Sequence, residues 1–306
     1  MVSTNLAILV VYGIKKREKK SMKRILAVLI VSCLLLTGCG GGGGNPTTVI
    51  NGKVADGYLR GAEVFLDMNN NYQWDAGEPK TTSGAGGTYS MVISASDAAK
   101  YPGMVRVVAG ATIDEDTNNS VANGYVMSAP AGATSFISPM STLIREKMDA
   151  NPGMTLNDAM TQLRNQMNLS SGMNVMADYV AGSQSGTNAA QYQTMHTTAQ
   201  QMAGVMAGQA ALVMNGSIVN QNRYRNMMGT INSNMPAITA NVTNGQSMNS
   251  TFMTGMMSQM QTQIEAMPIS GGFVNYSGMF RNMTSHSSFW SNTGTPMTPM
   301  SGGMMR

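Results

Sequence analysis

The feature that most constrains the fold of this 306-residue chain is a change of sequence pattern near residue 134. Before that point, short β-branched segments alternate with glycines and polar turns. The clearest of them are 49–54, 62–66, 88–93 and 104–108. Short strands separated by turn signals indicate an antiparallel β-sandwich. After that point, apolar residues recur at helical spacing. We therefore expect α and β structure in separate domains, with a sandwich over 47–134 and a methionine-rich helical domain over 135–270.

The helical half contains its own start and stop signals. Pro139 stands at the first turn of one predicted helix, where the missing N–H of proline costs nothing. The segment 151–153, Asn-Pro-Gly, ends that helix. Thr155 and Asp158 then form a variant of the capping box at the start of the next helix. Further helices are predicted over about 188–214, 217–231 and 247–267.

The N-terminal segment has the order of features found in export signals. Lys23 and Arg24 precede a short apolar run, which Leu36-Thr37-Gly38-Cys39 closes. A basic end, an apolar core and small residues before a cut are typical of secretory signals. The run is shorter than the roughly 20 residues that a membrane-spanning helix needs. An uncleaved transmembrane anchor is the alternative.

The closing tetrapeptide resembles the lipobox of bacterial lipoprotein precursors. The resemblance implies a signal peptide over 1–38, or from Met22 if translation starts there, and lipid such as palmitate on Cys39. Residues 39–46 are glycine-rich and predict a flexible tether. Because Gly40 rather than Asp follows the cysteine, the resemblance favours the outer membrane. It leaves open whether the protein faces the periplasm or the outside.

Removing this leader changes the charge of the chain. The full sequence carries +4, but seven basic residues and one acidic residue precede Cys39, so residues 39–306 carry 12 basic and 14 acidic side chains. The excess of basic residues that would favour a nucleic-acid partner is therefore confined to the leader, and we expect no such partner. Cys33 leaves with the leader and Cys39 carries lipid, so neither a disulfide nor a thiolate metal site is expected.

The stretch from Asn51 to Asp67, NGKVADGYLRGAEVFLD, resembles the prealbumin-like Ig modules of bacterial surface proteins. These are the carboxypeptidase-regulatory-like and serine–aspartate-repeat B-type domains. The resemblance spans roughly 48–130 and implies a β-sandwich that acts as a spacer or presenter and not as an enzyme.

Oxygen-bearing residues follow at the spacing of an EF-hand-type calcium loop. Positions 1, 3, 5, 9 and 12 are Asp67, Asn69, Asn71, Asp75 and Glu78, and Gln73 at position 7 would offer its backbone carbonyl. Calcium takes six to eight oxygen ligands, so the pattern predicts a structural Ca²⁺ site. One departure is Tyr72, which stands where the loop normally has glycine, and a bulky residue at positive φ is costly. The alternative is a polar turn whose side chains cap their own backbone.

Methionine is unusually frequent, with 32 in the chain and 27 of them from Met127 onward. Thioethers are soft ligands that suit Cu(I) or Ag(I). The best-spaced candidates are Met253, Met256, Met257 and Met260. They predict an alternative function, the sequestration of copper or silver. The competing interpretation is that methionine fills the helical core in place of leucine.

Sequence signatures of catalysis are absent. The chain has no G-x-S-x-G elbow, no P-loop, no dinucleotide fingerprint and no H-E-x-x-H. His196 has no acid near it in sequence and is expected to pack or to be solvated, and the acidic run 114–116 is expected to form a solvated turn. We therefore expect a protein that is not an enzyme.

These features together predict a lipid-anchored protein of the cell envelope. Its role would be structural, adhesive or partner-binding, with an unknown protein or surface partner. After Tyr179 few residues are charged, and such a surface favours association with itself or with a partner. Residues 271–306 lack periodicity and predict a flexible tail.

Overall fold

The computed structural model describes residues 46–268. The predicted signal peptide, Cys39, the glycines of the tether and the predicted tail over 271–306 lie outside the described residues. Within them the chain contains both helices and strands, which confirms the mixed composition expected from the sequence. Most strands precede residue 138, and most helices follow it.

The strands form two principal sheets. They are β1 (Thr47–Val54), β2 (Leu59–Arg60), β3 (Glu63–Leu66), β4 (Lys80–Thr82), β5 (Thr88–Ser94), β6 (Gly103–Val107), β7 (Ile113–Asp114), β8 (Asn119–Ser120), β9 (Tyr125–Ala129), β10 (Phe136–Ile137), β11 (Met214–Asn215) and β12 (Ile218–Val219). The sheet β4-β3-β6-β9 is antiparallel. In the sheet β10-β1-β5, β5 runs antiparallel and β10 parallel to β1. The small sheet β2-β7-β8 and the hairpin β11-β12 complete the set.

The strands differ in how burial runs along them. In β5, Tyr89, Met91 and Ile93 are buried while the residues between them are exposed, the period of two that a half-buried strand requires. β9 differs because every one of its residues is buried. Several of the strands that were not predicted have only two residues, too few to show an alternating pattern.

Five of the helices in the described residues begin at a residue whose side chain caps them. The helices are α1 (Ala95–Ala98), α2 (Pro139–Ala150), α3 (Leu156–Gln166), α4 (Tyr179–Gly182), α5 (Ala189–Gly208), α6 (Ala210–Val213), α7 (Gln221–Ser233), α8 (Met235–Thr243) and α9 (Thr251–Glu265). Ser138 caps α2 ahead of Pro139, and Thr155 caps α3 reciprocally with Asp158. Both predicted start signals are thus confirmed. None of the helices in the described residues combines the length and apolar character that spanning a bilayer requires.

Two helical predictions were wrong in their extent. The helix expected over 188–214 ends at Gly208, and α6 and the hairpin β11-β12 follow it. Gly216 in that hairpin has a φ of 62°, a conformation that glycine adopts without steric cost. The helix expected over 217–231 begins at Gln221 instead and ends at Ser233. A further helix, α8, was not predicted, although Pro236 stands in its first turn.

Strands and helices share one hydrophobic core. The buried cluster includes apolar residues of β1, β3, β6 and β9 together with those of α2, α5, α7 and α9. Two tyrosines of the helical region donate to strand-region carbonyls: Tyr179 to Ala55 at 2.7 Å and Tyr224 to Val126 at 3.1 Å. The division expected near residue 134 therefore falls within a continuous core.

Helix α2 carries three consecutive buried charged residues, Arg145, Glu146 and Lys147. Lys147 is fully buried, and its Nζ has no hydrogen-bond partner within the described residues. Burial lowers the pKa of its ammonium group from 10.5 to about 8, because an apolar surrounding disfavours the charged form. The residue therefore weakens the fold at neutral pH.

We expect Lys147→Met to stabilise the protein. The folded pKa lies below the unfolded value, so the unfolded chain binds more protons between pH 8 and 10.5. Wild-type stability should rise with pH in that window, and the penalty is complete below it. At 1.36 kcal/mol per pKa unit, the variant should gain about 3 kcal/mol of unfolding free energy at neutral pH and much less at high pH.

Urea unfolding at pH 7 and pH 10.5 measures this difference. Lys100→Met is the matched control, because Lys100 is exposed and its replacement should give no comparable pH dependence. A gain for Lys147→Met that is equal at both pH values would contradict the explanation by a buried charge.

Candidate metal site

The predicted calcium loop connects β3 to β4 at an edge of the four-stranded sheet. At its base, the N–H of Leu66 donates to the carbonyl of Pro79 at 3.1 Å. The two limbs of the loop therefore leave the sheet side by side. The first candidate ligand, Asp67, follows β3 directly, and the last, Glu78, immediately precedes Pro79.

Asp67 folds the first half of the loop. Its Oδ1 accepts the N–H of Asn71 at 2.9 Å, and its Oδ2 accepts the N–H of Tyr72 at 3.1 Å. Asn69 Oδ1 accepts the Asn71 N–H as well, at 3.2 Å. Asn70 and Tyr72 have φ values of 63° and 67°. The carboxylate thus anchors a sharp turn with two residues in the left-handed region.

Glu78 and Asp75 close the loop. Glu78 Oε1 accepts the N–H of Met68 at 2.6 Å, and its Oε2 accepts the N–H of Asp75 at 3.0 Å, so one carboxylate joins both limbs. Asp75 Oδ2 in turn accepts the side-chain amides of Asn69 at 2.7 Å and Asn71 at 2.6 Å. The structure therefore brings the five predicted side-chain ligands into one hydrogen-bonded group.

The electrostatics of this group fit a cation. Burial raises the pKa of Glu78 above its ordinary value; the backbone N–H groups of Asp75 and Met68 oppose the rise, and the charges of Asp67 and Asp75 add to it. Negative charge is thus collected in a small volume, which a divalent cation would relieve.

The donor chemistry fits calcium in particular. Three carboxylates and two amides provide oxygens, and turning over the amides of Asn69 and Asn71 would direct their Oδ1 atoms toward Asp75. Gln73 donates its N–H to Asn71 Oδ1 at 3.1 Å and lies at the position of the backbone-carbonyl ligand. Within the described residues, no three His, Cys, Asp or Glu side chains form a metal-holding group. A cation here would therefore depend on asparagine and backbone oxygens.

Tyr72 adopts the left-handed conformation that glycine usually supplies at this position. Its side chain is fully buried. The ring centroid lies 4.5 Å from the guanidinium carbon of Arg145, 5.5 Å from that of Arg225 and 5.0 Å from the ring of Tyr224. Its hydroxyl donates to Glu146 Oε1 at 2.8 Å and accepts from Arg225 Nε at 3.1 Å. The loop therefore keeps its sharp turn with tyrosine in place of glycine.

A comparison of the backbone cost with the gain from side-chain contacts explains why tyrosine is tolerated at this position. A left-handed backbone costs a non-glycine residue about 1–2 kcal/mol. Burying a large aromatic side chain gains about 1.5–3 kcal/mol, and each cation–π contact adds at least about 0.5 kcal/mol. The contacts of Tyr72 thus offset its backbone cost.

Asp67 also connects the loop to α2. Its Oδ2 lies 3.3 Å from Arg145 Nη2, and the two side chains are 0% and 2% exposed. Arg145 also donates to Asn70 Oδ1 and lies 3.4 Å from Asp149 Oδ2. Removing one member of a buried ion pair leaves the other charge uncompensated.

The residues that contact Tyr72 of the loop were not predicted from the sequence. They are Arg145 and Glu146 on α2 and Tyr224 and Arg225 on α7. One signal was present in the sequence, because Arg225 is among the few charged residues after Tyr179. A charge retained in such a charge-poor region is a candidate for a specific partner.

His196 has an acidic partner that sequence spacing did not indicate. Its Nε2 lies 2.7 Å from Asp116 Oδ2, and Gln200 donates to the same oxygen at 2.8 Å. The imidazole stacks on Tyr179 at a centroid distance of 5.7 Å. The turn at 114–116, which we expected to be only solvated, therefore also contacts α5. His196 packs against Tyr179 within the helical region.

Lys53 borders an open groove of about 1000 Å³. Its Nζ lies 2.8 Å from Asp178 Oδ2, and Tyr58 donates its hydroxyl to the same carboxylate. The hydrogen bond to Asp178 is the main cause that raises the pKa of Lys53, so the lysine stays charged. Uncharged residues line the rest of the groove, both polar ones such as Asn51 and Asn174 and apolar ones such as Phe136 and Met176.

The four candidate copper ligands lie on α9. Met253, Met256 and Met260 are buried in the shared core, and Met257 is partly buried. Core packing accounts for the first three, because buried thioethers would have to leave the core to bind a metal from solvent. The copper or silver alternative stays a prediction.

Comparison with known proteins identified no relative of this chain. No protein-family model, no curated protein and no solved structure matches the chain.

We expect Arg145→Met to destabilise the protein by about 3–5 kcal/mol, because it leaves Asp67 buried without its cation. Arg60→Met is the control: the Arg60 side chain is 49% exposed and lies 3.6 Å from Glu115, so its loss should cost less than about 1 kcal/mol. Urea unfolding in calcium-free buffer measures both values. Equal costs for the two variants would show that the buried pair contributes no more than a surface pair.

Proposed function

We propose that this chain is a lipid-anchored, non-catalytic protein of the bacterial cell envelope with a structural calcium loop. Its role is structural, adhesive or partner-binding. The observation that carries the proposal is that the five predicted ligand residues form one hydrogen-bonded loop, in which the amide nitrogens of Asn69 and Asn71 donate to Asp75. Asp67 and Glu78 lie at the two ends of that loop, and each bonds backbone N–H groups within it.

The loop residues would have different roles in holding the ion. Bound calcium would supply positive charge to Asp75 and Glu78, for which the described residues provide no ion pair. Glu78 joins the two limbs, and the amides of Asn69 and Asn71, which donate to Asp75 in this structure, would turn over to present their oxygens. Calcium sites in extracellular modules have affinities of roughly 10⁻⁴–10⁻³ M, which suits a compartment outside the cytoplasm.

A prealbumin-like sandwich is the finer fold that we propose for the strand region. The two principal sheets contribute to one hydrophobic cluster, including Val54 and Tyr89 from one and Val64 and Val105 from the other. This shared core supports two packed layers. In such a fold the calcium loop would stiffen a spacer or presenter module.

The surface bordering Lys53 is a candidate for the partner-binding role. Its groove is lined by residues of β1 and β5 together with the segment that leads into α4. A ligand there would contact both strands and the helical region. The paired charges of Lys53 and Asp178 favour a partner without strong net charge.

Membrane attachment through Cys39 rests on the resemblance of the leader to lipoprotein precursors. We expect the wild-type protein to fractionate with membranes and Cys39→Ala to be released, because a thioether-linked diacyl group supplies two chains for stable anchoring. Metabolic labelling with palmitate followed by fractionation measures both effects. Labelling of the Cys39→Ala protein equal to that of the wild type would contradict the proposal.

Calcium should raise the melting temperature. At 10 mM Ca²⁺, a dissociation constant of 10⁻⁴–10⁻³ M corresponds to about 1.4–2.7 kcal/mol of added stability. This amounts to a shift of about 3–10 °C for a domain of this size. Asp75→Asn with Glu78→Gln should abolish the shift, because it removes two of the three loop carboxylates.

Glu265→Gln is the matched control, since Glu265 is exposed at the end of α9 and far along the chain from the loop. It should keep the full calcium shift. Magnesium at the same concentration controls for general ionic effects. A wild-type melting temperature that is the same with calcium and with magnesium would rule out a calcium-specific site.

A further inference from the structure

We infer that calcium in the loop fastens helices α2 and α7 to the strand region through Tyr72. This inference rests on the proposed calcium site and adds a regulatory consequence to it. Loss of the ion would loosen the helices, so the environment outside the cell would control how firmly the two regions are joined.

The first step is that the turn fixes the position of Tyr72. Its N–H is held by Asp67 Oδ2 at 3.1 Å, and the preceding residue, Asn71, is held by Asp67 Oδ1 at 2.9 Å. Asp67 and Asn71 are positions 1 and 5 of the loop. A cation that orders these two residues therefore also orders the backbone of Tyr72, from which its ring projects.

The second step is that the Tyr72 ring contacts both helices at once. On α2 it meets Glu146 by a hydrogen bond of 2.8 Å and lies over the Arg145 guanidinium. On α7 it meets Arg225 by a hydrogen bond of 3.1 Å and packs against Tyr224. Both hydroxyl contacts are made, and the ring has no exposed surface. The Tyr72 side chain therefore links the loop to both helices.

The third step is that Asp67 can serve the helix and the ion together. Arg145 contacts Oδ2 of this carboxylate. Oδ1 accepts only the Asn71 N–H among the described residues, and each carboxylate oxygen has a second acceptor site. A cation at Oδ1 would therefore leave the Asp67–Arg145 contact in place.

Tyr72→Gly separates metal binding from fastening. Glycine is the residue that calcium loops of this type usually have at position 6, and it adopts the observed φ of 67° without strain. The variant should therefore bind metal at least as tightly as the wild type. It lacks the ring and hydroxyl that reach α2 and α7, so the metal should no longer protect those helices.

Binding and fastening have independent readouts in the full chain. Terbium stands in for calcium, and Trp74 within the loop should sensitise its luminescence. The chain has two tryptophans, so a Trp290→Phe background assigns the signal. Fastening is measured as the rate of chymotrypsin cleavage within Pro139–Ala150 and Gln221–Ser233, followed by mass spectrometry with saturating calcium and with chelator.

In the wild type we expect calcium to slow cleavage of both helices at least tenfold. In Tyr72→Gly, terbium affinity should be equal or higher, and the calcium effect on cleavage should fall below twofold. Tyr72→Phe keeps the ring but loses the hydroxyl bonds to Glu146 and Arg225, so its calcium protection should lie between those of the wild type and Tyr72→Gly. Full calcium protection of Tyr72→Gly would overturn the inference while leaving the calcium site intact.

Two further results complete the test. Absence of sensitised terbium luminescence in the wild type would overturn the calcium proposal itself. If Tyr72→Gly does not fold, Arg225→Met removes both the cation over the Tyr72 ring and a contact to the Tyr72 hydroxyl, and it changes no candidate ligand. It should bind terbium normally and lose part of the calcium protection of α7, whereas Arg164→Met, whose arginine bonds Thr161 instead, should lose none. Unchanged protection in Arg225→Met would contradict the inference.

Discussion

The structure depends on the insertion of Tyr72 between the strand region and the helices. A tyrosine in the left-handed region is unfavourable by itself, and only a buried set of partners keeps it there. Those partners, Arg145, Glu146 and Arg225, are charged residues that are seldom buried without a specific contact. The backbone strain of the loop and the burial of the helix charges thus compensate each other, and neither would persist alone.

Charged and polar side chains also connect the two regions at other positions. Within the described residues, two ion pairs, Asp67 with Arg145 and Lys53 with Asp178, and the close contact of Asp116 with His196 connect the strand region to the residues after 134. The energies of the two ion pairs differ because their exposure differs. The first is fully buried and strongly destabilising if broken, whereas the second has side chains 36% and 27% exposed and contributes little. Charged side chains thus join the two regions, in addition to the pairs that lie within the strand region alone.

The sequence allowed the elements to be predicted better than their contacts. Short β-branched segments between turn signals located β1, β3, β5 and β6, and Pro139 and the cap at Thr155 located two helix starts, because these signals act within a few residues. Tyr72 shows the limit. As a local departure from a glycine position it argued against a calcium loop, yet its partner Arg225 lies 153 residues further along the chain. The spacing of Asp67 to Glu78 identified the loop residues, and only the tertiary fold could show what the loop holds.

The central claim is that an ion in the loop and the order of the helices are coupled. Hydrogen–deuterium exchange of the full chain, with calcium and with chelator, tests it most directly. The account predicts that calcium slows amide exchange in residues 67–78 and also in α2 and α7. Protection confined to the loop would contradict the coupling, and no change anywhere would contradict calcium binding.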